Sequence, residues 1–338
     1  MPILMIGVRR SGSNLLRVML NEAPGIVAPH PPHILLRMMP LLPLYGDLAE
    51  SENFGTLVED VCRLVELNPV PWEGVILDRA DIVRRCRERT LVAIFGAVGD
   101  CAAETWGARD WVCKSLENIH YLRQIESYFR EPKYIYLYRD GRDVAVSMRK
   151  AIIGEKHVYH IAREWARIQR LALEHRARIP SERFLSVSYE ELTGRPEATV
   201  RRLCAFLDVP YSERMLQFYN SDEAKRTAES SVGLWGNVAK PLMTNNTGKY
   251  LREMSEQEIR IFESVAGDAL DALGYERMHV RPGEEQRWTS AETRRFDEEN
   301  ERLKQAVLGG LDAEERGRRD RQEALLTEIR RRRETATA

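Results

Sequence analysis

Residues 2–20 read PILMIGVRRSGSNLLRVML, Pro2 to Leu20. An apolar run stops at Gly7, gives way to Val8-Arg9-Arg10-Ser11-Gly12-Ser13-Asn14, and resumes at three- and four-residue spacing. The pattern predicts a buried strand, a tight loop and a helix from Asn14 to Leu20. Such a turn aims backbone N–H groups and the positive end of a helix dipole at one point, where an anion binds. Gly12 permits close backbone approach, Ser11, Ser13 and Asn14 offer side-chain donors, and Arg10, with Arg9 beside it, adds a permanent charge on a planar fork.

Four short runs read as buried strands: Ile3–Ile6, Trp111–Cys113, Tyr134–Tyr138 and Phe184–Val187. Helical periodicity fills the intervals, over Thr56–Leu67, Ile82–Trp106 and His157–Arg178. Strands alternating with helices predict an α/β fold, a three-layer parallel β-sheet flanked by helices on both faces. Pro24–Pro43 holds six prolines with His30 and His33, and predicts an irregular segment with one helical turn at Leu35–Met39 that folds back over the cradle.

With 338 residues, 43% of them hydrophobic, the chain can bury a sizeable core in one large domain or two modest ones. A net charge of -1, from 51 basic and 52 acidic side chains, gives no global field for nucleic acid or an anionic membrane. No run reaches the roughly 18 apolar residues of a membrane span, and no leader peptide is legible. Five scattered cysteines without a C-x-x-C pair point to a reducing cytoplasm. From about Glu284 both charge signs become dense and apolar residues sparse: Phe296, Leu303, Val307, then Leu325, Leu326 and Ile329. We therefore divide the chain into a domain 1–283 and a charged helical C-terminal extension 284–338, broken at Gly309-Gly310. The extension packs through a thin stripe or pairs with a second copy as a homodimer.

The nucleotide P-loop, G-x-x-x-x-G-K-[ST], shares the spacing of Gly7 and Gly12, but Ser13-Asn14 stands where lysine and a magnesium-holding hydroxyl belong. The positive charge comes earlier, at Arg10. VRRSGSNLLRVML instead resembles the 5′-phosphosulfate loop of sulfotransferases that use 3′-phosphoadenosine 5′-phosphosulfate, and the resemblance gives Arg10 contact with the transferring sulfuryl group. KYIYLYRDGRDVAVSMRK resembles that family's 3′-phosphate motif, an arginine at a strand end and a serine eight residues on, here Arg139 and Ser147. We expect Asp143 as the N-cap of the helix that carries Ser147. FLSVSYEEL resembles the family's tyrosine-bearing strand and turn, at Tyr189. NVAKPLMTNNTGKYLREMS resembles the segment whose basic residue closes over the nucleotide, at Gly248 and Lys249.

The resemblance implies a P-loop-like sulfotransferase fold, sulfuryl transfer to an acceptor hydroxyl or amine, the bisphosphate adenosine 3′,5′-bisphosphate as product, and no metal. Lys114, in WVCKSLEN, matches a lysine near the reacting group in the tyrosylprotein branch. Family branches with this kind of loop place a glutamate base shortly after the first helix, but no carboxylate lies between Glu22 and Asp47. His33 is then the first choice as base and His30 the second, because histidine titrates near neutrality. The acceptor class stays open between lipid-like molecule, natural product, carbohydrate and peptide, and HILLRMMPLLPLY supplies an apolar lining. A P-loop kinase or NTPase and a non-catalytic scaffold are the competing functions.

Overall fold

The computed structural model describes residues 1–230, 236–309 and 313–334. Five strands, β1 (Pro2–Gly7), β2 (Ile26–Val27), β3 (Asp110–Cys113), β4 (Lys133–Tyr138) and β5 (Phe184–Ser188), form one sheet in the order β2-β3-β1-β4-β5. Every pairing is parallel, with Ile3 opposite both Val112 and Lys133. The sheet is the α/β architecture expected, with β2 as an addition. Two residues among prolines carry no periodicity, so β2 has no sequence signature.

All six residues of β1 are buried, and the pleat sends them alternately into two cores. Ile3 and Met5 join Leu16, Ile135, Leu137 and Val200 on one face, while Leu4 and Ile6 join Tyr136, Trp165 and Phe262 on the other. Burying one such side chain contributes about 1.5–3 kcal/mol, so this central strand is covered because both its faces are apolar. Helices Ser13–Asn21 and Pro196–Leu207 cover the first face, and helices Ser51–Glu66, Leu91–Thr105, Val158–Arg178 and Glu256–Ala272 the second.

The run Ile82–Trp106, expected as one helix, is two: Arg79–Arg85 and Leu91–Thr105. Each has its own cap, since the Asp78 carboxylate accepts from the Asp81 N–H at 2.7 Å and the Thr90 hydroxyl from the Ala93 N–H at 3.2 Å. A second correction concerns helix Gly141–Arg149, whose N-cap is Asp140, accepting from the Arg142 N–H at 2.9 Å, and not Asp143. Among the described residues no helix is long and apolar enough to cross a membrane.

The charged C-terminal stretch forms helices Ser290–Gly309 and Ala313–Glu334, and Gly310 of the expected break lies outside the described residues. Leu325, Leu326 and Ile329 are buried in the second core, and the Gln322 amide donates to the Leu64 carbonyl at 2.8 Å. Arg332 pairs with Asp60 at 2.7 Å and Arg63 with Glu328 at 2.8 Å. Leu325, Leu326 and Ile329, the second half of the expected stripe, thus pack within the chain, against residues 39–44 and helix Ser51–Glu66.

The chain leaves β1 toward β2 and leaves β4 toward β5, on opposite sides. The carboxyl ends of β1 and β4 therefore flank a topological switch point, where open α/β sheets form a binding crevice.

Candidate active site

Two glycines fix the cradle after β1. At Gly7, φ 139°, a Cβ would stand 2.1 Å from the Leu137 carbonyl oxygen of β4, and at Gly12, φ 89°, it would stand 2.4 Å from the Tyr189 ring. Between them Arg10 adopts φ 69°, a conformation unusual outside glycine, and such strain concentrates at functional sites. The turn directs the Arg10 side chain to Ser147, with Nε donating to Oγ at 3.0 Å. Burial, then the charge of Arg139, holds the Arg10 guanidinium below the usual arginine range.

Arg139 is 4% exposed at the end of β4. It donates to the Arg10 carbonyl at 3.2 Å and to the Asn246 carbonyl, and lies 3.5 Å from the Asp143 carboxylate. Its guanidinium carbon sits 4.4 Å from the centre of the Tyr189 ring. It does not make the surface ion pair with Asp140 that a simple turn would give, because Asp140 pairs with Arg142 at 2.8 Å. Asp143 instead accepts the N–H groups of Gly248 at 2.8 Å and Tyr250 at 3.1 Å, pinning the segment 246–250 over β4. Asn246 donates to the Tyr189 hydroxyl at 2.7 Å.

Arg10, Arg139, Ser147, Tyr189 and Asn246 face a pocket of about 380 Å³. Of the residues expected from the sequence, Arg9, Arg10, Gly12, Ser13, Asn14, His33, Lys114, Arg139, Ser147 and Tyr189 line it together. Ser11, His30, Gly248 and Lys249 are not among its lining residues. Two buried polar atoms at the cradle, Ser11 Oγ and Arg139 Nε, have no hydrogen-bond partner among the described residues. Leaving such groups unsatisfied is costly, so both suit a polyanion bridging the loop and β4. Among the described residues no group of three His, Cys, Asp or Glu side chains could hold a metal ion.

The loop after β3 supplies the other wall. Lys114 is 8% exposed and donates to the Asn14 side-chain oxygen at 2.9 Å. Burial first, then Arg17, Arg10 and Arg9, pulls its ammonium down to about 7. His33 has φ 58° at the start of helix Ile34–Met38, and its Nδ1 lies 2.8 Å from the Ser115 hydroxyl. Burial, then Lys114, Arg37 and Arg9, takes the imidazole down to about 3. His30 is buried with its ring centre 6.5 Å from that of His33, and its carbonyl accepts from Asn68 and Trp72 at 2.9 and 2.8 Å.

Among the pocket residues that the sequence reading did not single out are Glu117, Ile153, Phe218, Lys240 and Asn246. Glu117 pairs with Arg9 at 2.6 Å, and although burial opposes its charge, the His120 contact and Arg9 hold the carboxyl down at about 2. A carboxylate does stand in this wall, contributed by the loop after β3 and not by the segment after the first helix. Its only sequence signal was its place three residues beyond Lys114.

A family model described as "Sulfotransferase family" matches residues 2–213. Protein-tyrosine sulfotransferase A of Caenorhabditis elegans is 25% identical over 284 residues, 81% of this chain and 67% of that protein. The sulfotransferase domain from the curacin biosynthetic pathway superposes with a TM-score of 0.57 at 22% identity, covering 82% of this chain and 98% of that one. The sulfotransferase domain of the Synechococcus PCC 7002 olefin synthase gives 0.53 at 23%, covering 78% and 94%. At these identities the solved structures establish the shared fold.

Proposed function

Because the chain belongs to the sulfotransferase family, we propose that it transfers the sulfuryl group of 3′-phosphoadenosine 5′-phosphosulfate to an acceptor hydroxyl by in-line displacement. The observation that carries this reading is convergence. Arg10 and Ser147, 137 positions apart and drawn from the two anion-binding motifs, meet at 3.0 Å with Arg139 beside them.

The acceptor oxygen bonds to sulfur as the bond between sulfur and the 5′-phosphate oxygen breaks. Adenosine 3′,5′-bisphosphate departs and the acceptor proton passes to a base. Charge accumulates on the equatorial sulfuryl oxygens and the bridging oxygen, so positioning and electrostatic stabilisation do most of the work. Arg10 and the N–H groups of residues 11–14 would hold that charge, and Arg10 stays protonated as a clamp. Arg139 and Ser147 would take the 3′-phosphate, Tyr189 would pack beside it, and Gly248 with Lys249 would close the segment tied to Asp143.

Lys114 and His33 carry the proton chemistry in this reading, with His30 as support behind His33. A bound polyanion raises both pocket groups, charging Lys114 and making His33 more basic when the acceptor arrives. Leu36, Leu116 and Ile153 give the pocket apolar surface for the body of the acceptor, and tyrosyl compounds head the screen because the worm relative is a protein-tyrosine sulfotransferase. We assign residues 1–283 as the transferase domain and 284–338 as an extension. A reducing cytoplasm suits its five free cysteines.

Calorimetry with adenosine 3′,5′-bisphosphate, adenosine 5′-monophosphate and ATP with Mg²⁺ tests the reading. Preference for the bisphosphate supports it. Preference for ATP would return the loop to a kinase or NTPase, and no binding to a scaffold.

A further inference from the structure

Loop 150–157 joins the helix that carries Ser147 to helix Val158–Arg178, and its Ile153 stands in the pocket wall. A loop buried beside a pocket must find partners for its backbone. Two of its carbonyls and one from the preceding helix are gathered by one buried cation: Lys156 Nζ donates to Ile153 at 2.7 Å, to Gly154 at 2.9 Å and to Met148 of helix Gly141–Arg149 at 3.3 Å.

Its N–H groups are met from outside, by helix Ser290–Gly309. The Asn300 side-chain oxygen accepts from the Lys156 N–H at 2.8 Å and the His157 N–H at 3.0 Å, while its amide donates to Glu155 at 2.5 Å. Asn300 is 3% exposed. One turn onward Lys304 pairs with the same Glu155 at 2.8 Å, and one turn back the Phe296 ring stacks on His157 with centres 4.6 Å apart. Residues at i, i+4 and i+8 of a single helix face therefore grip a single loop.

We propose that helix Ser290–Gly309 is a positioning element of the pocket, with Asn300 setting the place of Ile153 and, through Met148, of the turn that bears Ser147. The family match ends at residue 213, so the grip is supplied by a part of this chain beyond that match. Only the nature of the pocket's ligand rests on the sulfuryl-transfer reading.

The test compares the full chain with Asn300→Ala by amide hydrogen exchange without ligand and by calorimetry with adenosine 3′,5′-bisphosphate. Loss of the shared acceptor strands one buried and one partly buried N–H group, so exchange across 150–157 should accelerate about tenfold or more while the core strands keep their protection. The bisphosphate Kd should rise about three- to tenfold through the displaced Ser147 turn. The pair Asn300→Asp with Glu155→Gln keeps the acceptor for both N–H groups, exchanges donor and acceptor between the two side chains, and should restore both readouts.

Unchanged exchange in 150–157, or equal acceleration over the whole chain, would overturn the grip. Faster loop exchange with an unaltered Kd would overturn its hold on the pocket, and failure of the paired variant to rescue would also count against it. If the unaltered protein binds no bisphosphate, the sulfuryl-transfer reading falls, and the exchange result still decides the grip.

Discussion

The two walls of the pocket manage charge in different ways. On the wall made by the loop after β1 and the end of β4, Arg10 and Arg139 carry permanent charge, and fixed backbone aims it. On the wall made by His33 and Lys114, burial has pushed two titratable groups toward neutrality, to about 3 and about 7. Permanent charge suits the end that grips a polyanion, and adjustable charge the end where a proton must move.

Arg10→Ala should have the largest effect, lowering kcat by about 10²–10³-fold, the range for loss of one transition-state donor. Steady-state rates with an unchanged melting curve would check it, and near-normal turnover would end the claim that this wall stabilises the reacting charge. Gly12→Ala should come next. Its Cβ meets the Tyr189 ring at 2.4 Å, so the ring or loop must shift, at about 1–3 kcal/mol of stability, with loss of bisphosphate affinity by calorimetry. Arg139→Ala should reduce the preference for bisphosphate over 5′-monophosphate about tenfold, the worth of a charged hydrogen-bond pair. An unchanged ratio would remove Arg139 from the 3′-phosphate.

The titrating wall should respond to pH. Lys114 loses its proton near 7 in the folded chain, so bisphosphate affinity should fall as pH rises from 6 to 8, and Lys114→Met should flatten that fall. The unfolded chain holds that proton to about 10.5, so it binds more protons between 7 and 10.5 and stability rises with pH there, a rise that Lys114→Met removes. His33→Asn should have the smallest effect on pH dependence. With the folded imidazole near 3, the ligand-free histidine stays neutral from pH 5 to 8, and a limb at 6.5 in kcat/KM that disappears in the variant would contradict this account.

The permanently charged wall was legible because strand, loop and helix lie within twenty consecutive residues, and the β4 motif within as few. Local pattern suffices there. Asp143 misled because Asp140 satisfies the same cap rule three residues earlier, which frees Asp143 to hold Gly248 and Tyr250. In the sequence His33 ranks ahead of His30 on its place before an apolar turn alone, because the φ of 58° that carries it to the pocket leaves no mark in composition. Glu117, Asn246 and Asn300 escaped for another reason. Their partners Arg9, Tyr189 and Lys156 lie 108, 57 and 144 positions away, and no periodicity encodes such pairings.

The docking of helix Ala313–Glu334 on helix Ser51–Glu66 has a consequence for how the chain is made. The bond between Gln322 and Leu64 spans 258 positions. At the roughly 5–20 residues per second of synthesis, the outer face of helix Ser51–Glu66 waits on the order of ten seconds or more after emerging from the ribosome before its cover exists. During that interval a nascent chain shows an apolar surface that the finished molecule conceals, and holdase chaperones find their opportunity there.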